Sequence, residues 1–480
     1  MAESKSARHG ILWGTADTFV RQGVQFVIGI VLARILSPQE FGILGILTIF
    51  LSLSDLLIES GFSQALIRKN KISNEEYSTV FYFNLGVSFI LYFLIFFSSD
   101  FFEVYFRVEG LAMMLKIFML KIIISSFYFT QSVMLTKSLD FKIFTKITFF
   151  SSVISGGLGI ILAYNNYGAW SLIWQSLSAT LLIAILVNFF RFWKPNFIFR
   201  WIEINNLYKV SSYLLFTSIL GRFANEMNTF IIGRYFSPET LGLYTRANSL
   251  KNLPSQTFNT ILSKVSLPIL SNKQDDPDEL QKMYKKLFST SFFISSFVML
   301  LLISIADDLI LVLLGEKWRG TILLFQYLSI IGVFYPLNAL NNNLIIAKGK
   351  TRLTFKLALF KFFTTIPVLI IGVLTNINNL IIGLVIISIF HTLIYCYFSG
   401  RIIKYKLIEQ LAEMFRNIWF LILICIMLNF INLSNMSNWS SLIIKSSIFI
   451  ILTILFSIIL KNEMSHLFRN TVVNVLNKNK

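Results

Sequence analysis

Hydrophobic residues along this chain form long runs, each followed by a short polar connection. A helix that crosses a bilayer needs about 20 predominantly apolar residues, and the chain meets this requirement about fourteen times. We predict spans over 10–36, 42–67, 78–98, 111–135, 143–164, 168–192, 210–236, 241–269, 288–314, 320–346, 354–374, 379–399, 417–433 and 441–460.

A short segment after the first predicted span recurs after the seventh. Residues 33–42 are ARILSPQEFG and residues 233–242 are GRYFSPETLG, so Arg, Ser, Pro and Gly return at identical spacing. An even number of predicted spans separates the copies, which indicates a parallel duplication about an axis along the membrane normal. We interpret each copy as a tight turn between spans, with Gly42 and Gly242 permitting the reversal.

The duplication predicts an all-α membrane protein of about 14 transmembrane helices, arranged as two parallel six-helix lobes plus two extra C-terminal helices. The predicted parts are an N-terminal lobe 1–193, a cytoplasmic connection 194–209, a C-terminal lobe 210–400, an interfacial amphipathic helix 401–416, appended helices 417–460 and a cytoplasmic tail 461–480.

Composition supports a bilayer location, because 55% of the residues are apolar and only 14% are charged. The net charge of +18 is spread as small clusters between apolar runs, on alternate connections. This asymmetry is typical of cytoplasmic loops rather than of nucleic-acid binding, and it predicts a multi-pass membrane protein with both termini in the cytoplasm.

The sequence predicts neither a catalytic centre nor a metal or cofactor site. The three histidines are scattered, and Cys396 and Cys425 both lie within apolar runs. The acidic cluster around Asp276 resembles a cation site, but Asp276 followed by Pro277, with Glu279 three positions after Asp276, is typical of a helix start. We therefore predict a transporter rather than an enzyme.

Ionisable residues within the predicted spans are the candidate functional groups, because an unpaired charge in a bilayer is costly. Three pairs are spaced four residues apart, on one helix face: Asp17 and Arg21, Asp55 and Glu59, Arg222 and Glu226. For Asp17 with Arg21 and for Arg222 with Glu226, an internal ion pair that joins helices is an equally good interpretation.

Further basic residues lie within spans without a local partner in the sequence: Lys121, Arg246, Lys251, Lys264 and Lys361. Lys116 and Lys445 are nearer to helix ends and are expected to extend toward the membrane surface. A cavity lined by Arg and Lys suits a large anionic amphiphile, since Arg gives bidentate contacts to phosphate. The carboxylates could bind a proton or sodium ion.

Several segments in fixed order carry a resemblance to a known family. Besides the two SPxxxG turns, they are LDFK at 139–142, YGAWSL at 167–172, GLYTRA at 242–247, LGEKW at 314–318 and AKG at 347–349. From about residue 10 to about residue 400 the chain resembles the polysaccharide exporters and Wzx-type flippases, whose superfamily includes multidrug antiporters and the lipid II flippase.

The resemblance implies a V-shaped, MATE-like arrangement with a central cationic cavity. It implies alternating access that moves a polyprenyl-diphosphate-linked oligosaccharide across the bacterial cytoplasmic (inner) membrane, with other polysaccharide assembly proteins as candidate partners. Arg21, Arg222 and Arg246 become the leading substrate contacts. The complete predicted site comprises the basic residues Arg21, Arg222, Arg246, Lys251 and Lys361 and the ion-coupling or cavity carboxylates Asp17, Asp55, Glu59 and Glu226.

Two alternatives remain open from the sequence. A multidrug or cation antiporter of the same superfamily is the nearer one, although a cationic drug favours an acidic cavity. A membrane-embedded polysaccharide polymerase or ligase is the other, although such an enzyme is expected to carry a large external loop.

Overall fold

A computed structural model of the chain describes residues 22–59, 62, 66, 69, 72–138, 141–190, 193–431 and 436–459, with only the backbone of 59, 141 and 206–218. The regular secondary structure of this described part is entirely helical. Its α-helices are α1 Gln22–Ile35, α2 Pro38–Glu59, α3 Asn74–Phe106, α4 Leu111–Phe118, α5 Leu120–Lys137, α6 Phe141–Tyr164, α7 Ala169–Phe190, α8 Trp201–Tyr235, α9 Pro238–Asn272, α10 Pro277–Ser304, α11 Ala306–Leu313, α12 Thr321–Ala347, α13 Thr351–Leu374, α14 Ile377–Ile403, α15 Leu407–Phe430 and α16 Asn438–Ile459.

Eleven spans within the described residues are long and apolar enough to cross a membrane, and the chain is a multi-pass membrane protein. Helices α1, α8 and α9 are not among these eleven. Both α8 and α9 have 35 residues, which at 1.5 Å per residue exceeds the thickness of the hydrocarbon core, but they are more polar. The count of fourteen spans stays a prediction.

Three predicted elements have different bounds in the structure. The span predicted over 111–135 consists of α4 and α5, which meet at Met119. The span predicted over 288–314 is divided between α10 and the short α11. The residues predicted as a separate interfacial helix, 401–416, are shared between two helices, because α14 continues to Ile403 and the residues from Leu407 onward are the first turns of the continuous helix α15. Their position in the membrane interface stays a prediction.

Both copies of the repeated segment begin a helix by the same local chemistry. The Ser37 hydroxyl accepts a hydrogen bond from the Glu40 amide at 3.5 Å, and the Ser237 hydroxyl accepts one from the Thr240 amide at 3.1 Å. A proline follows each serine and occupies the first helical position, where its missing amide hydrogen costs nothing. The segment is therefore a helix end followed by a capped helix start.

The glycines of the repeat have a different purpose from the one predicted, since each lies within a helix. A Cβ atom added to Gly42 would stand 1.8 Å from the carbonyl oxygen of Pro238, and one added to Gly242 would stand 1.7 Å from the carbonyl oxygen of Pro38. The N-terminal turns of α2 and α9 thus cross with their backbones in contact. Small residues permit such close crossings in membrane proteins.

The predicted helix start at Asp276 is confirmed. The Asp276 carboxylate accepts hydrogen bonds from the amides of Asp278 and Glu279, and Pro277 opens the helix. Before it, Lys273 donates to Glu279, and this hydrogen bond raises the pKa of Lys273. The acidic cluster is therefore an N-terminal cap.

Contacts divide the chain into two compact units, Met1–Thr245 and Arg246–Lys480, and the division falls within α9. In the first unit, Leu32 and Leu36 pack with Leu172 in one of several small clusters. The second unit has a larger apolar core around Tyr284, Phe288 and Leu337. The predicted limits of the six-helix lobes stay a prediction.

Lys445 on α16 is paired within the protein, and its predicted extension toward the membrane surface stays a prediction. Its ammonium group lies 2.7 Å from the Asp308 carboxylate of α11, which also accepts a hydrogen bond from the Ser441 hydroxyl at 3.0 Å. Both charged side chains are largely buried. The pair joins α16 to α11 within the second unit. Removal of either partner would leave the other as an uncompensated buried charge.

Substitution of Gly42 by alanine tests the close crossing of α2 and α9. We expect Gly42→Ala to lower the free energy of unfolding by about 1–3 kcal/mol, because the added methyl group meets a main-chain oxygen that cannot move independently. Thermal unfolding of the detergent-solubilised protein measures the change. Gly86→Ala on α3 is the matched control, because nothing lies within 4 Å of its Cβ position. Equal unfolding temperatures for Gly42→Ala and wild type contradict the crossing.

Candidate functional site

The first unit contains a polar cavity of about 290 Å³. Helix α2 contributes Asp55, α5 contributes most of the wall, and α6 and α7 contribute one residue each. The polar lining of the cavity consists of Asp55, Lys121, Ser125, Tyr128, Ser132, Thr136 and Thr180. The α5 members recur every three or four positions and so lie on one helix face.

Lys121 is held in this cavity by three kinds of contact. Its ammonium group donates a hydrogen bond to the Ser176 hydroxyl on α7 at 2.8 Å. It also lies 5.6 Å from the centre of the Phe118 ring, in a cation–π contact, and interacts electrostatically with Asp55. Asp55 and Lys121, from different helices, therefore form a cation–carboxylate site among hydroxyl groups.

Arg222 and Glu226 lie on α8, in the same unit, and interact electrostatically with each other. The Ser52 hydroxyl of α2 is hydrogen bonded to the Glu226 carboxylate, whereas the Arg222 side chain is exposed. The α8 carboxylate therefore reaches the helix that carries Asp55. These contacts do not distinguish a helix-joining role from a functional one.

The second unit brings together three basic groups from three helices. Lys251 of α9 and Lys361 of α13 are close enough to repel each other, and Lys361 also acts on His391 of α14. The Thr364 hydroxyl and Nε2 of His391 form a hydrogen bond of 2.7 Å. Lys251 and His391 are buried, whereas Lys361 is exposed. We call Lys251, Lys361 and His391 the basic cluster.

Like charges within a membrane protein raise each other's free energy. Water or a bound anion can offset this repulsion, and a phosphate oxygen accepts several charge-assisted hydrogen bonds at once. The basic cluster is thus suited to an anion. Arg246 is buried on the same helix as Lys251, five positions earlier.

Some predicted site residues lie outside what the structure describes. Asp17 and Arg21 precede the first described residue, and the side chain of Glu59 is not described. The remaining residues divide between the units: Asp55, Arg222 and Glu226 belong to the first, whereas Arg246, Lys251 and Lys361 belong to the second.

Two features of these sites were missed by the sequence analysis. The polar face of α5, from Lys121 through Ser125 to Ser132, has a helical spacing that a search for polar stripes could have found. His391 has no such signal, because no Asp, Glu, Lys or Arg lies near it in the sequence, between 377 and 400. The described residues contain no cluster of three or more His, Cys, Asp or Glu side chains arranged to hold a metal ion.

A family profile described as "Polysaccharide biosynthesis protein" matches residues 31–323 of the chain, which is more than half of its length. The chain belongs to this family. The predicted relationship is confirmed, as is the predicted fold class apart from the number of helices. Within the family match lie Asp55, Arg222, Arg246 and Lys251, whereas Lys361 and His391 lie beyond it.

Proteins from two bacteria are similar to this chain along most of its length. The lipopolysaccharide biosynthesis protein WzxC of Escherichia coli is 23% identical over 389 residues, which cover 80% of this chain and 79% of WzxC. The teichuronic acid biosynthesis protein TuaB of Bacillus subtilis is 23% identical over 357 residues, which cover 73% of each chain.

Solved structures identify the fold of this family member. The lipid II flippase MurJ in its inward closed conformation aligns with a TM-score of 0.74 at 15% identity, covering 94% of this chain and all of MurJ. An inward-facing multidrug resistance MATE transporter of the MOP superfamily aligns with a TM-score of 0.63 at 14% identity, covering 82% of this chain and 98% of the transporter. The chain has the fold of this superfamily.

Cysteine labelling tests whether the cavity in the first unit holds water. In a variant whose native cysteines are replaced by alanine, we expect Ser125→Cys to react with a membrane-impermeant maleimide added to the purified protein, because Ser125 lines the cavity. Ile122→Cys, on the same helix but fully buried, is the control and should not react. Absence of labelling at Ser125 with intact folding contradicts an aqueous cavity.

Proposed function

We propose that this protein transports a polyprenyl-diphosphate-linked oligosaccharide across the bacterial cytoplasmic membrane by alternating access. The observation that carries the proposal is the basic cluster, in which Lys251, Lys361 and His391 converge within a membrane-embedded unit. Such a cluster suits the diphosphate of a lipid-linked saccharide, because each ammonium group can form charge-assisted hydrogen bonds to phosphate oxygens.

The relatives support this substrate class. WzxC and TuaB are named for the biosynthesis of surface polysaccharides, and ExoT of Rhizobium meliloti, 22% identical over 316 residues, is named a succinoglycan biosynthesis transport protein. MurJ, which has the same fold, is named a lipid II flippase. The proposed roles are diphosphate contacts for Arg21, Arg222, Arg246, Lys251 and Lys361 and alternating movement of two six-helix lobes.

We further propose that transport is coupled to an ion through the cavity of the first unit. Asp55 lies near Lys121 and Tyr128, among hydroxyl groups that could relay a proton. The Lys121 ammonium group offsets the negative charge of the carboxylate for a proton and for a sodium ion alike, so the proposal covers either ion. Asp17, Glu59 and Glu226 are secondary carboxylates in this proposal.

Substitution of Lys361 tests the diphosphate contact. We expect Lys361→Gln to lower the rate at which a fluorescent lipid-diphosphate oligosaccharide crosses the membrane of proteoliposomes by about tenfold, because a charge-assisted hydrogen bond is lost. Lys361→Arg should retain most of the rate. Lys286→Gln on α10 removes an exposed charge away from the cluster and serves as the control. Equal rates for Lys361→Gln and wild type remove Lys361 from the site.

Depletion of the protein in cells distinguishes the proposal from a polymerase or ligase. Loss of a flippase leaves the lipid-linked oligosaccharide in the inner leaflet, whereas loss of a polymerase or ligase leaves it in the outer leaflet. Mass spectrometry of the accumulated lipid identifies its sugars. Absence of any accumulated lipid-linked oligosaccharide favours the antiporter alternative.

Cysteines at matching positions of the two repeats test the proposed orientation. Gln39 and Glu239 are exposed and follow the two helix-capping serines. In the cysteine-free variant, we expect Gln39→Cys and Glu239→Cys both to react with an impermeant maleimide added to intact cells, because the basic loops place these turns outside. Lys286→Cys should react only after the membrane is opened. Labelling at only one of the two turns contradicts the parallel duplication.

A further inference from the structure

A second concave surface of the second unit is apolar, and two of its rings, Phe360 and Phe390, lie beside His391 of the basic cluster. It is a groove of about 700 Å³ between α13 and α14, and Leu407, the first residue of α15, also lines it. Leu353, Leu357 and Phe360 line it from α13 at helical spacing, and Phe390 and Tyr397 line it from α14. We call this surface the α13–α14 groove.

The two ends of the groove differ in chemistry. Helices α13 and α14 follow each other in the chain and pair in opposite directions, so the beginning of α13 lies beside the end of α14. At this end Lys356 lines the groove, and the Arg401 guanidinium lies 5.5 Å from the centre of the Tyr397 ring. At the inner end, the Phe360 and Phe390 rings pack with centroids 6.2 Å apart.

Among the residues that the structure describes, no carboxylate lines the groove to neutralise its cationic end. Lys350, Lys404 and Lys406 lie on the connections at the same end, and Arg352 lies in the first turn of α13, so all four add to its positive charge. The acidic residue nearest along the chain, Glu409, is paired with Lys285 at 3.5 Å. The groove thus has an unneutralised basic entrance and an apolar, aromatic interior.

We propose that the α13–α14 groove binds one anionic phospholipid, with its phosphate at Lys356 and Arg401 and an acyl chain between the helices. Basic residues at the membrane surface attract anionic headgroups, and the aromatic rings provide apolar contact for a chain. A zwitterionic phospholipid gains less from this entrance, because its own ammonium group is repelled by Lys356 and Arg401.

The length of the groove favours a phospholipid over the polyprenyl chain of the transported substrate. From Leu353 to Phe360 the helix rises only about 10 Å, which is less than the roughly 15 Å of one hydrocarbon leaflet. The aromatic pair of Phe360 and Phe390 then ends the groove. This length fits part of an acyl chain and leaves most of a long polyprenyl chain without contact.

Native mass spectrometry tests the proposal. The purified, delipidated full-length protein is titrated with lipids, and the bound lipids are counted. The probes are phosphatidylglycerol and phosphatidylethanolamine with identical acyl chains. We expect one tightly bound phosphatidylglycerol per chain. Its affinity should fall about 30-fold in the double variant Lys356→Gln/Arg401→Gln, because two cationic contacts are lost.

The matched control is Arg352→Gln/Lys404→Gln, which removes the same charge at the same end from residues that neither line the groove, as Lys356 does, nor lie over one of its rings, as Arg401 does. It should bind phosphatidylglycerol as wild type does. Leu393→Trp, which fills the groove and keeps both cations, should lose the bound lipid, with thermal unfolding confirming that each variant is folded.

Three outcomes overturn the proposal. Equal affinity for the two phospholipids removes the anionic headgroup from the site. An equal loss of affinity in the control and in the Lys356→Gln/Arg401→Gln variant assigns the effect to diffuse charge. Displacement of phosphatidylglycerol by equimolar polyprenyl phosphate assigns the groove to the polyprenyl chain of the transport substrate. That result is compatible with the proposed transport function, but it overturns the phospholipid site.

Discussion

A charge inside a bilayer is stable only beside an opposite charge, hydrogen-bond partners or water, and this constraint organises the charged residues of the protein. Asp308 and Lys445 meet the constraint by forming a buried ion pair, which joins the last described helix to its unit. Lys121 meets it through a serine hydroxyl, an aromatic ring and the nearby Asp55. Lys251 and Lys361 instead repel each other, and a bound anion or water would offset this repulsion.

The partner of a charged residue, whether a carboxylate or another cation, separates structural charges from candidate functional ones better than depth in the membrane does. Lys445 and Lys361 are both lysines on apolar helices, yet one has a carboxylate partner and the other has a second lysine and a histidine as neighbours. The proposed function depends on the second arrangement. The family match supports it only in part, because it includes Lys251 but ends before Lys361 and His391.

The repeated sequence segment also gives the two copies the same local structure. Both copies start a helix with a serine cap and a proline, and both present a glycine to the other copy. The contacts are reciprocal, since each glycine faces the proline carbonyl of the other helix at nearly the same distance. A side chain at either position would collide with the main chain of the other helix, and therefore both positions need glycine.

The sequence by itself determined the membrane location, the helical class, the relationship to a family, the repeat and the cap at Asp276. These properties depend on composition or on residues near each other in the chain, where helical periodicity and capping rules apply. Helix bounds were less certain, and the amphipathic appearance of 401–416 concealed the continuous helix α15. The tertiary structure decided which helices face one another. Periodicity indicates the face of its own helix on which a residue lies, but not the helix that packs against that face. The packing alone therefore shows that Lys445 lies beside Asp308, Gly42 beside Pro238 and His391 beside Lys361.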